Sequence, residues 1–365
     1  MEIKKVIISG GGTGGHIFPA IAIANRIKLE FPNADILFIG AEGKMEMKKV
    51  PEAGYKIEGL WISGLQRRLT VKNLTLPVKL ANSLLKARKI IKNFKPDVVI
   101  GVGGYASAPT LRIASMLKIP TVVQEQNSYP GKTNKILSKS VTKICVAYKN
   151  LERFFPEEKI VLTGNPVRNK VVQIEGLRAE GLAHFGLSPD KKTVLVVGGS
   201  LGARTLNESV VNQLAEFQQQ NIQLIWQCGS AQYETMKAVT ADKDMTGIVL
   251  TQFINEMELA YAAADVIISR AGAIAISELC IIGKPTVLVP SPNVAEDHQT
   301  KNAMALVDDG AAIYVKDIEA REILVQRVLN LLSNEEEQKV LAKNIKEKAI
   351  ADADERIVNV IKSIL

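Results

Sequence analysis

The sequence predicts an α/β protein made of two doubly wound, parallel-sheet units, and two observations carry that prediction. The first is that the chain opens twice. Val6-Ile7-Ile8-Ser9-Gly10-Gly11-Gly12-Thr13-Gly14-Gly15-His16 lies over Val194-Leu195-Val196-Val197-Gly198-Gly199-Ser200-Leu201-Gly202-Ala203-Arg204 at an offset of 188 residues (194 − 6). Each runs from an apolar strand through a glycine turn into a helix start, the phosphate-binding opening of a Rossmann-type unit. The second is that both halves alternate short apolar runs with helical patterns, which implies right-handed βαβ units. A chain of 365 residues gives each half its own core.

In the first half the apolar runs predict strands at Lys5–Ser9, Ile36–Ile39, Val98–Val102, Thr121–Gln124, Lys143–Val146 and Lys159–Leu162. Helical spacing covers Pro19–Glu30, Leu74–Asn93 and Pro109–Leu117. Thr163-Gly164-Asn165-Pro166-Val167-Arg168 reads as a hinge, since Gly and Asn-Pro break regular structure. It divides an N-terminal unit, 1–164, from a C-terminal unit, 165–342. The second half predicts strands at Thr193–Val197, Gln223–Gln227, Ile248–Thr251, Val266–Ser269, Thr286–Val289 and Ala312–Val315. Its helices fall at Arg204–Gln219, Met257–Ala263, Ala273–Ile282, Thr300–Asp308 and Glu319–Leu332, with a charged helical tail from Glu335.

Composition narrows the class. With 47% hydrophobic and 23% charged residues the chain reads as an ordinary globular protein. Cys145, Cys228 and Cys280 are far apart and form no CxxC pair, which points to a reducing cytoplasm and away from disulfides or a zinc site. Lys4 and Lys5 precede only three apolar residues before the glycines, a first strand rather than a signal peptide. No stretch approaches the roughly 18–20 apolar residues that span a bilayer. The net charge of +8 is uneven: residues 1–165 carry 26 Lys/Arg against 12 Asp/Glu, residues 166–365 carry 20 against 26. Gly59–Lys95 holds nine basic residues and no acidic one, which suggests an anionic partner.

Three glycine-rich turns follow strands and lead into helices: Gly10–His16, Gly101–Pro109 and Gly198–Arg204. Open parallel sheets bind ligands at that edge. His16 directly follows the first turn; a neutral imidazole there suits a base on an acceptor hydroxyl, the alternative being a packed or capping histidine. Gln124-Glu125-Gln126-Asn127 ends a strand with four polar groups, either ligand-facing or a solvated loop. Glu278 suits a ribose diol, or simply the first turn of a helix. Gln299, in Asp297-His298-Gln299-Thr300, suits sugar hydroxyls, or is an exposed amide.

Taken in order, these strings resemble the MurG family of bacterial glycosyltransferases, which complete the lipid-linked disaccharide precursor of peptidoglycan. The resemblance runs from residue 3 to about 315. It rests on Gly11–His16, Gly101-Val102-Gly103-Gly104-Tyr105, Glu125-Gln126-Asn127, Gly164–Arg168, Gly198-Gly199-Ser200, Ser269-Arg270-Ala271-Gly272-Ala273 and Glu296-Asp297-His298-Gln299. It implies a GT-B architecture, two Rossmann-like domains facing across a cleft, with a C-terminal helix at about 343–365 crossing back to the first. It implies inverting transfer of GlcNAc from UDP-GlcNAc to the C4 hydroxyl of undecaprenyl-diphosphoryl-MurNAc-pentapeptide, without a metal or other cofactor.

By the same resemblance His16 is the base candidate. Thr13, Gly14, Gly15 and Asn127 line the site of the transferred sugar, and Arg168 and Ser200 lie by the donor diphosphate. Ile254 offers backbone to uracil, Glu278 holds the ribose and Gln299 the GlcNAc hydroxyls. Gly103, Gly104 and Tyr105 face the acceptor diphosphate. Gln124, Leu201 and Thr300 depart from the family pattern, which touches sugar and diphosphate contacts rather than the reaction. A lipid-anchored acceptor implies peripheral docking on the cytoplasmic face of the plasma membrane. Leu74, Leu76, Leu80, Leu84 and Leu85 among Arg67, Arg68, Lys72, Lys79, Lys86, Arg88 and Lys89 suit an anionic lipid surface, the alternative being a helix core face with a basic rim. Nucleic acid is not expected as a partner. Competing readings are a transferase with another lipid acceptor such as diacylglycerol, or a non-catalytic nucleotide-sugar-binding scaffold. A dinucleotide oxidoreductase conflicts with the glycine spacing.

Overall fold

The computed structural model describes residues 2–63 and 75–365. The chain forms two compact units, one of Met1–Val167 with Asp352–Leu365, the other Arg168–Ala351. Each is a wholly parallel sheet covered by helices on both faces.

The first unit contains β1 (Lys5–Ser9), α1 (Gly14–Glu30), β2 (Asp35–Ala41), α2 (Glu46–Glu52), β3 (Lys56–Leu60), α3 (Leu76–Phe94), β4 (Val98–Gly101), α4 (Ser107–Met116), β5 (Thr121–Glu125), α5 (Lys132–Leu137), β6 (Lys143–Val146) and β7 (Ile160–Leu162). Its strand order is β3-β2-β1-β4-β5-β6-β7. The central strands β1, β4 and β5 are buried almost throughout; β1 and β4 read as apolar runs, while β5 is apolar only at Val122 and Val123 before its polar end. Edge strand β3, Lys-Ile-Glu-Gly-Leu, is polar at its start and gives no such run, which is why the sequence did not predict it.

The helix expected from Pro19 begins at Gly14 instead. Proline is favoured in a first turn, but here the carbonyl that Pro19 leaves unserved belongs to Gly15, at the helix start where the cost is small. Helix α3 buries Ser83, Ala87 and Ile91, and Leu84 and Phe94 pack with them. Its Val78, Leu80 and Leu85 stay exposed.

The second unit contains α6 (Arg178–His184), β8 (Thr193–Val197), α7 (Arg204–Asn212), α8 (Leu214–Gln219), β9 (Gln223–Gln227), α9 (Tyr233–Val239), β10 (Ile248–Thr251), α10 (Met257–Ala263), β11 (Val266–Ser269), α11 (Ala273–Ile282), β12 (Thr286–Leu288), α12 (His298–Val307), β13 (Ile313–Tyr314), α13 (Ala320–Ser333) and α14 (Glu335–Lys346). Its order is β10-β9-β8-β11-β12-β13. The single helix expected over Arg204–Gln219 breaks at Gln213, whose φ of −125° is non-helical, and Val210 before the break and Leu214 after it both lie in the core. Strands β1 and β8 are offset by 188 residues but helices α1 and α7 by 190, so the second glycine turn is two residues longer.

After α14 the chain turns and forms α15 (Ala353–Ser363). Ile357, Val358 and Ile361 of α15 join the core of the first unit with Ile17, Ala20 and Ala24 of α1. Arg26–Glu355 at 3.0 Å and Lys362–Glu30 at 2.8 Å flank that contact. No helix among the described residues is long and apolar enough to cross a membrane.

Candidate active site

In the first unit the sheet order reverses between β1 and β4, the topological switch where open α/β sheets bind ligands. The two turns that follow these strands touch backbone to backbone. A Cβ on Gly104 would collide with the Gly11 carbonyl, and its φ of +85° is left-handed, so glycine is required there. Ser107 Oγ lies 2.6 Å from Ser9 O and 2.9 Å from Gly103 O and ties the two turns together.

Helix α1 starts behind Thr13, whose carbonyl accepts from the N–H of His16 and of Ile17, both at 3.1 Å. Gly14, Gly15 and His16 form its first turn. His16 Nδ1 is 3.0 Å from Gly11 O and 3.4 Å from Thr13 Oγ1. A carbonyl only accepts, so Nδ1 is the donor, and in the neutral ring Nε2 carries the lone pair. Nε2 is directed at Gly103, where a Cβ would lie only 2.9 Å away. The structure thus gathers His16, Thr13, Gly14, Gly15, Gly103 and Gly104 at one edge, with the Tyr105 ring exposed beside them.

The first three of the four polar residues at the end of β5 form neither a solvated loop nor an open ligand-facing surface. Gln124, Glu125 and Gln126 are buried and committed to the protein. Gln124 donates to Asn165 Oδ1 at 2.8 Å, Asn165 donates to Gln126 O at 3.0 Å, and Gln126 donates to Val102 O at 2.9 Å. Glu125 accepts from Asn134 at 2.8 Å and from the N–H of Gly131 at 3.1 Å. Asn127 is half-buried, its N–H and side-chain amide donating to Glu125 at 3.0 and 3.1 Å. A strand fully inside a sheet leaves its polar end no solvent, so these residues bond mainly to one another and to nearby backbone, with Gln126 Oε1 and Asn134 Oδ1 accepting no hydrogen bond among the described residues.

In the second unit the switch lies between β8 and β11. Their turns line a cavity of about 400 Å³ that includes Gly199, Arg204, Arg270, Gln299 and Asp317. Gln299 is in the first turn of α12, and its carbonyl oxygen accepts from the N–H of Ser291 at 2.9 Å. Thr300, in the same turn, donates to Asp297 at 2.7 Å. Ser200 and Leu201 are exposed at the apex of the glycine turn.

Arg168 and Glu278 come together. Arg168 Nε and Nη2 donate to the two carboxylate oxygens, each at 2.9 Å, and Tyr261 adds a hydroxyl at 3.0 Å. Burial works against the Arg168 charge, but Glu278 outweighs it and holds the guanidinium above its ordinary pKa. Burial, then the Glu278 charge, pushes the Tyr261 phenol well up, so it stays a donor. The Ile254 N–H donates to Gln227 Oε1 at 2.9 Å, which narrows what that backbone offers a ligand to its carbonyl.

Three residues that line or brace these turns had no sequence signal of their own, and a fourth, Arg270, was visible only within the Ser269–Ala273 string. Glu46 lies in a short helix the periodicity did not predict. Gln227 is one polar residue closing an apolar strand. Arg270 and Asp317, 47 positions apart, meet at 2.5 Å only in the fold. Among the described residues no group of three or more His, Cys, Asp or Glu is placed to hold a metal ion.

Residues 6–146 match the glycosyltransferase family 28 N-terminal domain, and residues 193–357 match its C-terminal domain. The chain is 55% identical over 361 residues to the UDP-N-acetylglucosamine–N-acetylmuramyl-(pentapeptide) pyrophosphoryl-undecaprenol N-acetylglucosamine transferase of Cytophaga hutchinsonii, covering 99% of this chain and 97% of that one. It is 54% identical over 366 residues to the protein of that name from Parabacteroides distasonis, covering 100% and 99%. The crystal structure of Acinetobacter baumannii MurG superposes with a TM-score of 0.79 at 30% identity over 99% of both chains. A UDP-GlcNAc 2-epimerase from Neisseria meningitidis, at 15% identity and a TM-score of 0.68 over 99% and 100%, shares the fold. Two switch-point sites in two parallel-sheet domains, and this similarity over nearly the whole length, place the chain in glycosyltransferase family 28, with the GT-B architecture, as a member of the MurG family.

Proposed function

We propose that this chain transfers GlcNAc from UDP-GlcNAc to the C4 hydroxyl of undecaprenyl-diphosphoryl-MurNAc-pentapeptide, with inversion at the anomeric carbon. The observation that carries the mechanism is the His16 ring, with Nδ1 on the Gly11 carbonyl and the lone pair on Nε2. Nε2 takes the proton of the C4 hydroxyl as its oxygen bonds to the anomeric carbon. The bond from that carbon to the UDP oxygen breaks, and UDP leaves with the electron pair. General base catalysis of this kind contributes about 10²–10⁴-fold.

The first unit binds the acceptor, with Gly103, Gly104 and Tyr105 toward its diphosphate and Thr13, Gly14, Gly15 and Asn127 toward the sugars. The second binds the donor. Arg168 and Ser200 meet the diphosphate, and the N-terminus of α7 adds its dipole to stabilise the departing charge. Glu278 takes a ribose hydroxyl through the Oε1 lone pair that Arg168 and Tyr261 leave open. Gln299 keeps an amide N–H₂ for the GlcNAc hydroxyls, and the Ile254 carbonyl is the group for uracil.

The chain docks peripherally on the cytoplasmic face of the membrane. Exposed Val78 and Leu85, seven positions apart on one face of α3 and flanked by Arg88 and Lys89, support that reading. Arg67, Arg68, Lys72 and Leu74 of the same basic stretch lie outside the described residues, as does the side chain of Leu76.

The test is transfer of labelled GlcNAc from UDP-GlcNAc to purified undecaprenyl-diphosphoryl-MurNAc-pentapeptide, with diacylglycerol as control acceptor. Label only in the muramoyl lipid is expected. Label in diacylglycerol, or donor binding without transfer, would overturn the assignment.

A further inference from the structure

Glu46 opens α2 and is 1% exposed. A carboxylate is rarely buried so deeply without partners that use its charge. Here both partners are backbone N–H groups: Gly12 donates to Oε2 at 2.8 Å and Ala41 to Oε1 at 3.0 Å. The turn is shaped around this side chain, since a Cβ on Gly11 would collide with the carboxylate. Two acceptors for two N–H donors is a fit only a carboxylate makes. A glutamine in its place would turn an NH₂ toward one of the two N–H groups.

The Gly12 N–H and the Gly11 carbonyl belong to the same peptide unit. They are the two ends of one planar, resonance-stabilised group. Glu46 holds the N–H end; His16 Nδ1 holds the carbonyl end at 3.0 Å. A carboxylate on the N–H polarises the peptide and makes its oxygen a better acceptor, the cooperativity of chained hydrogen bonds in a low-dielectric setting.

We infer that Glu46 is the positioning residue of His16, acting through the Gly11–Gly12 peptide. It does for this imidazole what a directly bonded carboxylate does in a Ser-His-Asp triad: it fixes the Nδ1–H tautomer, orients the ring, and favours the imidazolium once the proton has arrived. The same contact spends the Gly12 N–H and places a carboxylate behind the first glycine turn. That turn therefore serves the base rather than an anion, and the acceptor diphosphate falls to the turn after β4. The inference rests on the reading of His16 as base.

Two measurements test it. In the wild-type chain with ¹⁵N-labelled histidine, His16 should show a protonated Nδ1 and a pyridine-like Nε2 at neutral pH. The opposite tautomer would overturn the inference whether or not any variant folds. In Glu46→Gln the His16 signals should move toward a tautomer mixture, and kcat should fall roughly 10- to 100-fold, with the KM for UDP-GlcNAc within about twofold. A purely structural role would leave the ¹⁵N shifts of the folded variant unchanged, and that result would also overturn it. His16→Ala separates the two readings: if it keeps full activity the base assignment fails, while the tautomer measurement still decides the Glu46 contact.

Discussion

Arg168 clamps Glu278 with two parallel hydrogen bonds of 2.9 Å, although the residues lie 110 positions apart and were expected to serve different parts of the donor. The pair is asymmetric: the Glu278 side chain is 5% exposed and that of Arg168 50%. Removing the arginine strands a buried carboxylate, whereas Glu278→Gln keeps an acceptor for Tyr261 and frees only a half-exposed cation. Arg168→Ala should therefore cost more stability, about 1–2 kcal/mol, than Glu278→Gln in urea denaturation. Both should weaken UDP-GlcNAc binding, and the double variant should be less than additive. Full additivity would mean the pair is incidental to the site.

His16→Ala should lower transfer by about 10²–10⁴-fold and leave UDP-GlcNAc binding within about twofold. Equilibrium binding beside single-turnover transfer separates the two effects. Loss of donor binding would move His16 from chemistry to substrate positioning.

Gln227 is buried and bridges two parts of the donor unit: its amide donates to Gly199 O at 3.2 Å and accepts from the Ile254 N–H at 2.9 Å. Gln227→Leu keeps the volume but leaves the buried Ile254 N–H without that partner, at about 1–3 kcal/mol, while the exposed Gly199 carbonyl turns to water. The expected result is a KM for UDP-GlcNAc raised about tenfold with kcat less affected. An unchanged KM in a folded variant would sink the idea that Gln227 sets the distance between the glycine turn and the Ile254 segment.

Lys284 closes the C-terminal end of α10, donating to Ala262 O at 2.7 Å and Ala264 O at 2.5 Å. Burial, then the nearby Arg178, pushes its pKa down from 10.5 to about 8. Between those values the unfolded chain binds more protons at this site than the folded one, so Lys284 adds stability as pH rises through that window. A neutral amine still donates to both carbonyls. The stability difference between wild type and Lys284→Met should thus grow in favour of wild type from about pH 8 to 10.5. A flat difference in denaturant titrations would refute this.

All three cysteines are buried, and burial pushes the thiols of Cys145 and Cys280 up to about 12 and that of Cys228 to about 11. The thiolate is the reactive form. A thiol reagent at pH 8 should leave the native chain unlabelled and modify all three in denaturant. Fast labelling of one in the native state would mark a local opening.

Much of the fold is legible in the order of residues. Central strands such as Lys5–Ser9 and Thr193–Val197 are buried on both faces and so carry apolar runs that need no partner to be read. The glycine turns after β1, β4 and β8 were legible because backbone approach and left-handed φ demand glycine regardless of context. What the fold alone decided are relations between distant side chains. Gln124–Gln126 were visible as polar residues at a strand end and Arg168 as the last residue of the hinge, but their partners Asn165 and Glu278 are set by the tertiary fold. Glu46 is the sharpest case. In sequence it is one carboxylate in a short, weakly periodic segment; only the pairing of β2 with β1 brings it to the Gly12 N–H. Local patterns determine strands, helices and turns because they depend on backbone sterics and burial period. Hydrogen-bond partners depend on three-dimensional proximity, which the order of residues along the chain does not encode locally.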